Sequence, residues 1–314
     1  GWMLWAALAF VAWMAVATFA AADPLKSLWS NFERMEGYVG LVHLFVYFVI
    51  MGTMLKAEDL WERFFNTSIG VSMVIGLHAL LQGLQLFGLH PSSQSGARAD
   101  GTFGNATYLA VYMLFNIFLT MYMLARQGRL TQTMQSVYGL ALVLQFAGLY
   151  LTQTRGALLG VIGGLFIAMI WVAWRAKQAE WKGLRMWAAG GMVALVALVG
   201  VFFALRQADL LPQGGTLGRI ASISTSDLTT MSRFQYIWPT AFKGAAERPL
   251  VGWGQENFSY VFNKYYQPGM WNQEQWFDRA HNQFLDWMIA GGFPAFLLYI
   301  SFFVLAAWAI IRSH

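Results

Sequence analysis

Two arrangements in this sequence have an evident chemical use: a guanidinium at the start of an apolar helix, and an imidazole two residues from another guanidinium and three from a carboxylate. In "TQTRGALLGVIGG", Thr152 to Gly164, Arg155 stands where an apolar run begins. The unpaired N–H groups and partial positive charge of a helix N-terminus add to its charge, so the pair makes an anion site. An arginine snorkelling to lipid headgroups has the same signature. Gly156, Gly160 and Gly164 repeat at four-residue spacing behind it, a pattern that lets another helix approach closely.

In "DRAHNQFLDWMIAGGF", Asp278 to Phe293, polar groups open the last apolar run. If the chain is helical from Asp278, then Asp278 and His281 are i,i+3 neighbours and the carboxylate can orient the ring. A helix N-terminus disfavours imidazolium, which suits His281 to accepting a proton. A structural hydrogen bond at an interface is the competing role. Arg233, in "MSRFQYIWPTAFKGAAERPLVGWGQENF", precedes an amphipathic stretch from Phe234 to Phe242. It has two readings, a ligand contact or an ion pair with Asp227 or Glu247. "GWG" is no nucleotide fingerprint, because no strand–helix–strand context surrounds it. His43 and His78 fall inside apolar runs, where interhelical hydrogen bonding is the expected role, and His90 ends the third run.

The elements that must hold these groups are membrane helices. Hydrophobic residues make up 58% of the 314 and charged residues 11%, whereas soluble domains carry about 25% charged. The apolar runs are continuous rather than alternating, which excludes a β-barrel and predicts an all-α polytopic transmembrane bundle. Eight segments are drawn: 1–22, 38–55, 67–89, 104–125, 134–151, 156–174, 185–205 and 282–311. The last is too long for one straight span, and Gly291, Gly292 and Pro294 predict a short interfacial helix, a break and then the spanning helix. With no cysteine in the chain, disulfides, thiolate metal sites and cysteine nucleophiles drop out. The chain begins at Gly1 inside an apolar run and stops at His314 just after another, so a fragment of a longer protein is expected; Gly1 to Ala22 reads as a span rather than a signal peptide.

Basic residues set the orientation. The even-numbered loops and the tail carry nine (Lys56, Arg63, Arg126, Arg129, Arg175, Lys177, Lys182, Arg185, Arg312), against four in the first, third and fifth loops (Lys26, Arg34, Arg98, Arg155). The even loops are therefore expected inside. Residues 206–280 then face outward as an aromatic-rich extracytoplasmic domain, between the seven helices of 1–205 and the interfacial and last helices of 281–314. A connection of that length is uncommon unless functional or disordered, and its aromatic content argues against disorder.

"TQTRGALLG", "SRFQYIWPTAFKGAAERPLVGWGQENF" and "RAHNQFLDWMIAGG" resemble, in order and spacing, the signatures of the O-antigen ligase and polymerase superfamily, and "FERMEGYVGLVHLF", Phe32 to Phe45, is similar to the early part of some bacterial members. The likeness runs over most of the chain from Gly104 onward. It implies a bacterial inner-membrane glycosyltransferase, active on the periplasmic or exterior side. Such an enzyme moves a glycan from a polyprenyl-diphosphate donor to a lipid, glycan or protein hydroxyl, with membrane lipids around it. By that resemblance Arg155 and Arg233 grip the donor diphosphate and His281 activates the acceptor hydroxyl. Arg219, in "GGTLGRIAS", competes with Arg233, and Arg279, Asn282 and Asp278 are accessory candidates. No metal, other cofactor or nucleic acid is expected: a P-loop and a D-x-D acidic cluster are both missing from the sequence.

A transporter or flippase for an anionic lipid or solute is the rival of a different class. It would show internal repeats and ionisable groups near the middle of the spans, whereas here the charges gather at the ends. A structural scaffold would leave the Arg155, Arg233 and His281 set without a role.

Overall fold

The computed structural model describes residues 1–31, 35–93, 95–125, 130–175, 182–211, 215–221, 232–271 and 276–312, with the side chains at 175, 182, 184, 215, 219 and 220 outside the described set. Every regular element among the described residues is helical. The apolar runs become α1 (Trp2–Phe19), α3 (Tyr38–Met54), α4 (Glu58–Gly83), α5 (Ala106–Ala125), α6 (Gln132–Leu151), α7 (Arg155–Arg175), α8 (Lys182–Gln207) and α12 (Gln283–Arg312). Short helices lie between them: α2 (Pro24–Trp29), α9 (Gly215–Ala221), α10 (Trp238–Glu247) and α11 (Phe258–Lys264). Among the described residues seven helices are long and apolar enough to cross a membrane, and Tyr38–Met54 is a shorter apolar helix. The protein is polytopic. The third run starts at Glu58 rather than 67, because Glu58 and Asp59 suit the first turn of a helix, where carboxylates offset the macrodipole.

The chain forms two compact units, Gly1–Lys56 with Ser224–His314, and Ala57–Ile223. In the second unit α4, α5 and α6 pack together around Ala79, Leu109, Met113, Ile117 and Leu149. A Cβ on Gly76 would lie 2.9 Å from the Leu144 carbonyl, so α4 and α6 touch at backbone distance there. Polar pairs cross the same faces. Gln145 donates to Ser72 (2.7 Å) and Thr120 (2.9 Å), and Ser68 donates to Asn116 (2.9 Å). Interhelical hydrogen bonds of this kind are worth about 0.6 kcal/mol on average in membranes. The histidines do otherwise: His43 bonds its own helix at the Val39 carbonyl (2.7 Å), and His78 Nδ1 has no partner among the described residues.

The first unit is organised by a break in α12. Gly291 (φ −135°, ψ 17°) and Gly292 (φ 70°, ψ −168°) leave the helical region, and Pro294 follows. Phe293 to Arg312 alone spans about 30 Å at 1.5 Å per residue, enough to cross hydrocarbon. A break strands backbone groups that must find partners where water is scarce. They find them in the turn between α10 and α11. Trp253 N donates to Ile289 O (2.7 Å), Gly254 N to Ala290 O (3.0 Å), and Phe293 N to Pro249 O (2.7 Å). The Gly291 carbonyl accepts from Trp13 Nε1 of α1 at 2.7 Å.

This contact tolerates no side chain at two glycines. A Cβ on Gly292 would sit 2.1 Å from Leu250 O, and one on Gly252, itself at φ 68°, would sit 2.4 Å from Ile289 O. Around it Trp253, Phe258, Val261, Phe262, Phe277 and Ile289 form a core, and Phe10, Met14 and Ala17 of α1 close over Ala290 and Ala295. Gly292→Ala is expected to lower stability by roughly 3 kcal/mol, combining left-handed strain and the clash. Gly139→Ala, whose Cβ meets nothing within 4 Å, is expected to be neutral or slightly stabilising. Thermal unfolding of the two variants in detergent compares them; equal melting temperatures would contradict the account.

Candidate active site

His281 sits on the short segment between Phe277 and α12, not in a helix. Its backbone is left-handed (φ 52°), and α12 starts only at Gln283. Asp278 and His281 are therefore not i,i+3 neighbours on one helical turn. Two polar contacts impose this. Asn282 accepts from Phe284 N (3.1 Å) as an N-cap, which fixes the start of the helix, and Asp286 Oδ1 accepts from Ala280 N (2.8 Å), folding the chain back over the first turn. Asn282 thus has a structural task. The exposed His281 ring meets Phe277 edge-on, 5.6 Å between centroids.

Arg233 opens a π-helical turn, Arg233–Ile237, that runs directly into α10, and its side chain is exposed. Such turns recur at functional positions. Of the two ion-pair partners considered for it, Glu247 is engaged by Lys264 (2.5 Å) and Tyr265 (2.6 Å), whose hydrogen bonds hold its carboxyl below the usual range. Asp227 lies outside the described residues. The segments bearing Arg233 and His281 share one core: Ile237 packs with Phe277 and Ala280, and Trp238 Nε1 donates to Ala280 O at 3.2 Å.

Arg279 is half-buried between two carboxylates, Glu36 and Glu256, the latter at 2.6 Å. Burial works against its charge, but the bonds and fields of Glu36 and Glu256 outweigh that and hold the guanidinium protonated. This triad ties the entry to α3, the turn after Gly254 and the His281 segment together. It borders a cavity of about 450 Å³ lined by Glu36, Leu41, Leu44, Gln255, Glu256, Phe258, Asp278, Arg279, Gln283, Asp286 and Trp287, among others. Asp278 and Arg279 before His281, and Gln283 after it, all belong to the lining.

In the other unit Arg155 is half-buried at the first position of α7. The turn before it is fixed from outside: Arg98 donates through Nε to Thr152 O and through Nη2 to Thr154 Oγ1, both at 2.8 Å. The glycines behind Arg155 seat side chains of α5 rather than a backbone. A Cβ on Gly160 would meet Leu114 at 2.9 Å and one on Gly164 would meet the Phe118 ring at 2.4 Å, while Gly156 faces open space. Arg219 lies on α9, with its side chain outside the described residues.

Residues 140–300, a stretch that holds Arg155, Arg233 and His281, match the family described as O-Antigen ligase. The chain belongs to the O-antigen ligase family. It is also similar to the "ComP-specific O-oligosaccharyltransferase" of Acinetobacter baylyi, 28% identical over 269 residues. That match covers 81% of this chain and 44% of the relative, so the chain spans less than half of the relative's length.

For this O-antigen ligase family member, the residues that sequence reasoning passed over are Glu36, Glu256, Gln255 and Arg98. Glu36 and Glu256 stand inside "FERMEGYVGLVHLF" and "GWGQENF", but acids this far apart in a chain give no sign of sharing one arginine. Arg279→Gln leaves the Glu256 side chain, 7% exposed, without its counter-charge and is expected to cost roughly 3 kcal/mol. Adding Glu256→Gln is expected to recover at least about 1 kcal/mol. Unfolding measurements on the two single variants and the double variant check this; strict additivity would contradict the coupling.

Proposed function

We propose that this chain transfers a glycan from a polyprenyl-diphosphate carrier to an acceptor hydroxyl on the outer face of a bacterial inner membrane. The observation that carries the reading is the family match over 140–300, which contains Arg155, Arg233 and His281 in a single stretch. The relative's description as an O-oligosaccharyltransferase supports the same reaction class. The excess of basic residues in the even loops supports the orientation, with 206–280 as the extracytoplasmic domain.

In this reading Arg155 and Arg233 bind the diphosphate. Guanidinium forks take phosphate oxygens two at a time, where lysine offers a point charge. As the bond between the anomeric carbon and the diphosphate oxygen breaks, the leaving group gains negative charge, and arginines held in place favour the transition state over the ground state. The acceptor oxygen attacks the anomeric carbon from the opposite side, with inversion, and its proton passes to His281. The products are the new glycoside and the polyprenyl diphosphate. Transfer needs neither ATP nor a metal, since the diphosphate already activates the sugar. The triad of Arg279 with Glu36 and Glu256 holds the His281 segment rather than gripping the donor.

His281→Ala is expected to reduce transfer by at least about 100-fold while donor affinity stays within a few-fold. Arg155→Lys and Arg233→Lys are each expected to weaken donor binding roughly tenfold, the loss of one charge-assisted hydrogen bond. Single-turnover assay of purified protein with a polyprenyl-diphosphate glycan reads both quantities. A fully active His281→Ala protein would remove the base from the mechanism.

A further inference from the structure

We propose that the cavity bordered by Glu36, Gln255, Glu256, Arg279, Gln283 and Trp287 is a saccharide subsite for a neutral, hydroxyl-rich sugar, lined in part by the chain neighbours of His281. This rests on the transferase reading for its role in the reaction, and on the cavity alone for its ligand.

Charge selects the ligand first. Four carboxyl groups, on Glu36, Glu256, Asp278 and Asp286, line the cavity against one guanidinium, that of Arg279. A diphosphate placed there would meet repulsion, so the cavity complements the part of a substrate that carries no phosphate. The carboxylates of Glu36 and Glu256 share the single positive charge of Arg279, so the triad keeps one net negative charge. Their remaining lone pairs are acceptors for hydroxyl protons. The apolar wall of Leu41, Leu44, Phe258, Trp287 and Ile289 suits the C–H face of a sugar ring. The volume falls within the roughly 300–1,000 Å³ of small-ligand clefts, too small for a folded partner.

Unpaired polar atoms point the same way. Gln255 is 7% exposed. Its Nε2 is committed to Glu36 O at 3.2 Å, and its Oε1 accepts from no described group. Arg279 Nε and Trp287 Nε1, on two other lining residues, are donors with no described partner. A buried acceptor and two buried donors left open are destabilising in the empty protein. A hydroxyl answers both kinds, because it donates and accepts at once. The three atoms are themselves buried, so a sugar in the cavity reaches them only where these side chains reorient.

The sugar is either the glycan of the donor or a glycan on the acceptor, and the two share this chemistry. Titration calorimetry of the purified protein with the oligosaccharide released from its lipid-linked donor by mild acid, with no diphosphate present, tests the subsite. Wild type is expected to bind it; Gln255→Met is expected to bind about tenfold more weakly and the exposed Gln283→Ala at least threefold more weakly. A KM increase confined to the donor in transfer assays assigns the donor glycan, and one confined to the acceptor assigns the acceptor glycan. Failure of wild type to bind either this oligosaccharide or the free glycan of the acceptor, unchanged affinity in both variants, or binding of a serine-containing peptide in place of both glycans would each overturn the subsite. Failure of the transferase reading shows separately, as a wild-type protein that binds the oligosaccharide and transfers nothing.

Discussion

A helix that breaks as it enters a membrane exposes carbonyls and amides that hydrocarbon cannot satisfy. Here the break in α12 at Gly291 and Gly292 is answered residue by residue by the turn from Pro249 to Gly254 and by the indole of Trp13. The arrangement works in both directions. The turn has no regular partner of its own and gains one from the broken helix, while the helix regains the hydrogen bonds that it lost. Each unmet buried backbone group would cost several kcal/mol in such surroundings, so neither half persists without the other.

The candidate site hangs on this joint. The residues just after the turn, Gln255 and Glu256, line the cavity, and Glu256 holds Arg279. On the other side, the first limb of α12 begins at Gln283, and its Asp286 folds the His281 segment back. A shift in the joint would therefore move the cavity wall and the proposed base together. The short aromatic core of Trp253, Phe258, Phe262 and Phe277 stiffens the same region from behind. Function in this reading needs an imidazole held outside regular structure, at a left-handed residue, and the joint supplies the surrounding rigidity that such a conformation requires.

Much of the fold was legible in the sequence because hydrocarbon thickness sets helix length. Seven of the eight drawn segments fall within about three residues of the helices that form, and the kink at Gly291 to Pro294 could be read from residues that cannot continue a helix. The third segment was drawn too late, since its polar first turn, "EDLWER", carries no hydropathy signal. For the candidate site, the sequence offers residue types and not contacts. Arg155, Arg233 and His281 stand out as charged or titratable groups at helix ends. Glu36 and Glu256 do not, because their partnership with Arg279 depends on chain segments that only folding brings together. The helical turn from Asp278 that would pair its carboxylate with His281 does not form. Periodicity cannot see that a side chain four residues into a helix, Asp286, captures an amide upstream of it.

Hydrogen exchange of the backbone amides, followed by mass spectrometry on the protein in nanodiscs, tests the joint most directly. The amides of Trp253, Gly254 and Phe293 are expected to exchange as slowly as those in the middle of α5, although two of them lie in a turn without regular structure. Exchange as fast as in the exposed segment around Gly96 would show that the turn does not fill the break, and the account of how the site is held would fall with it.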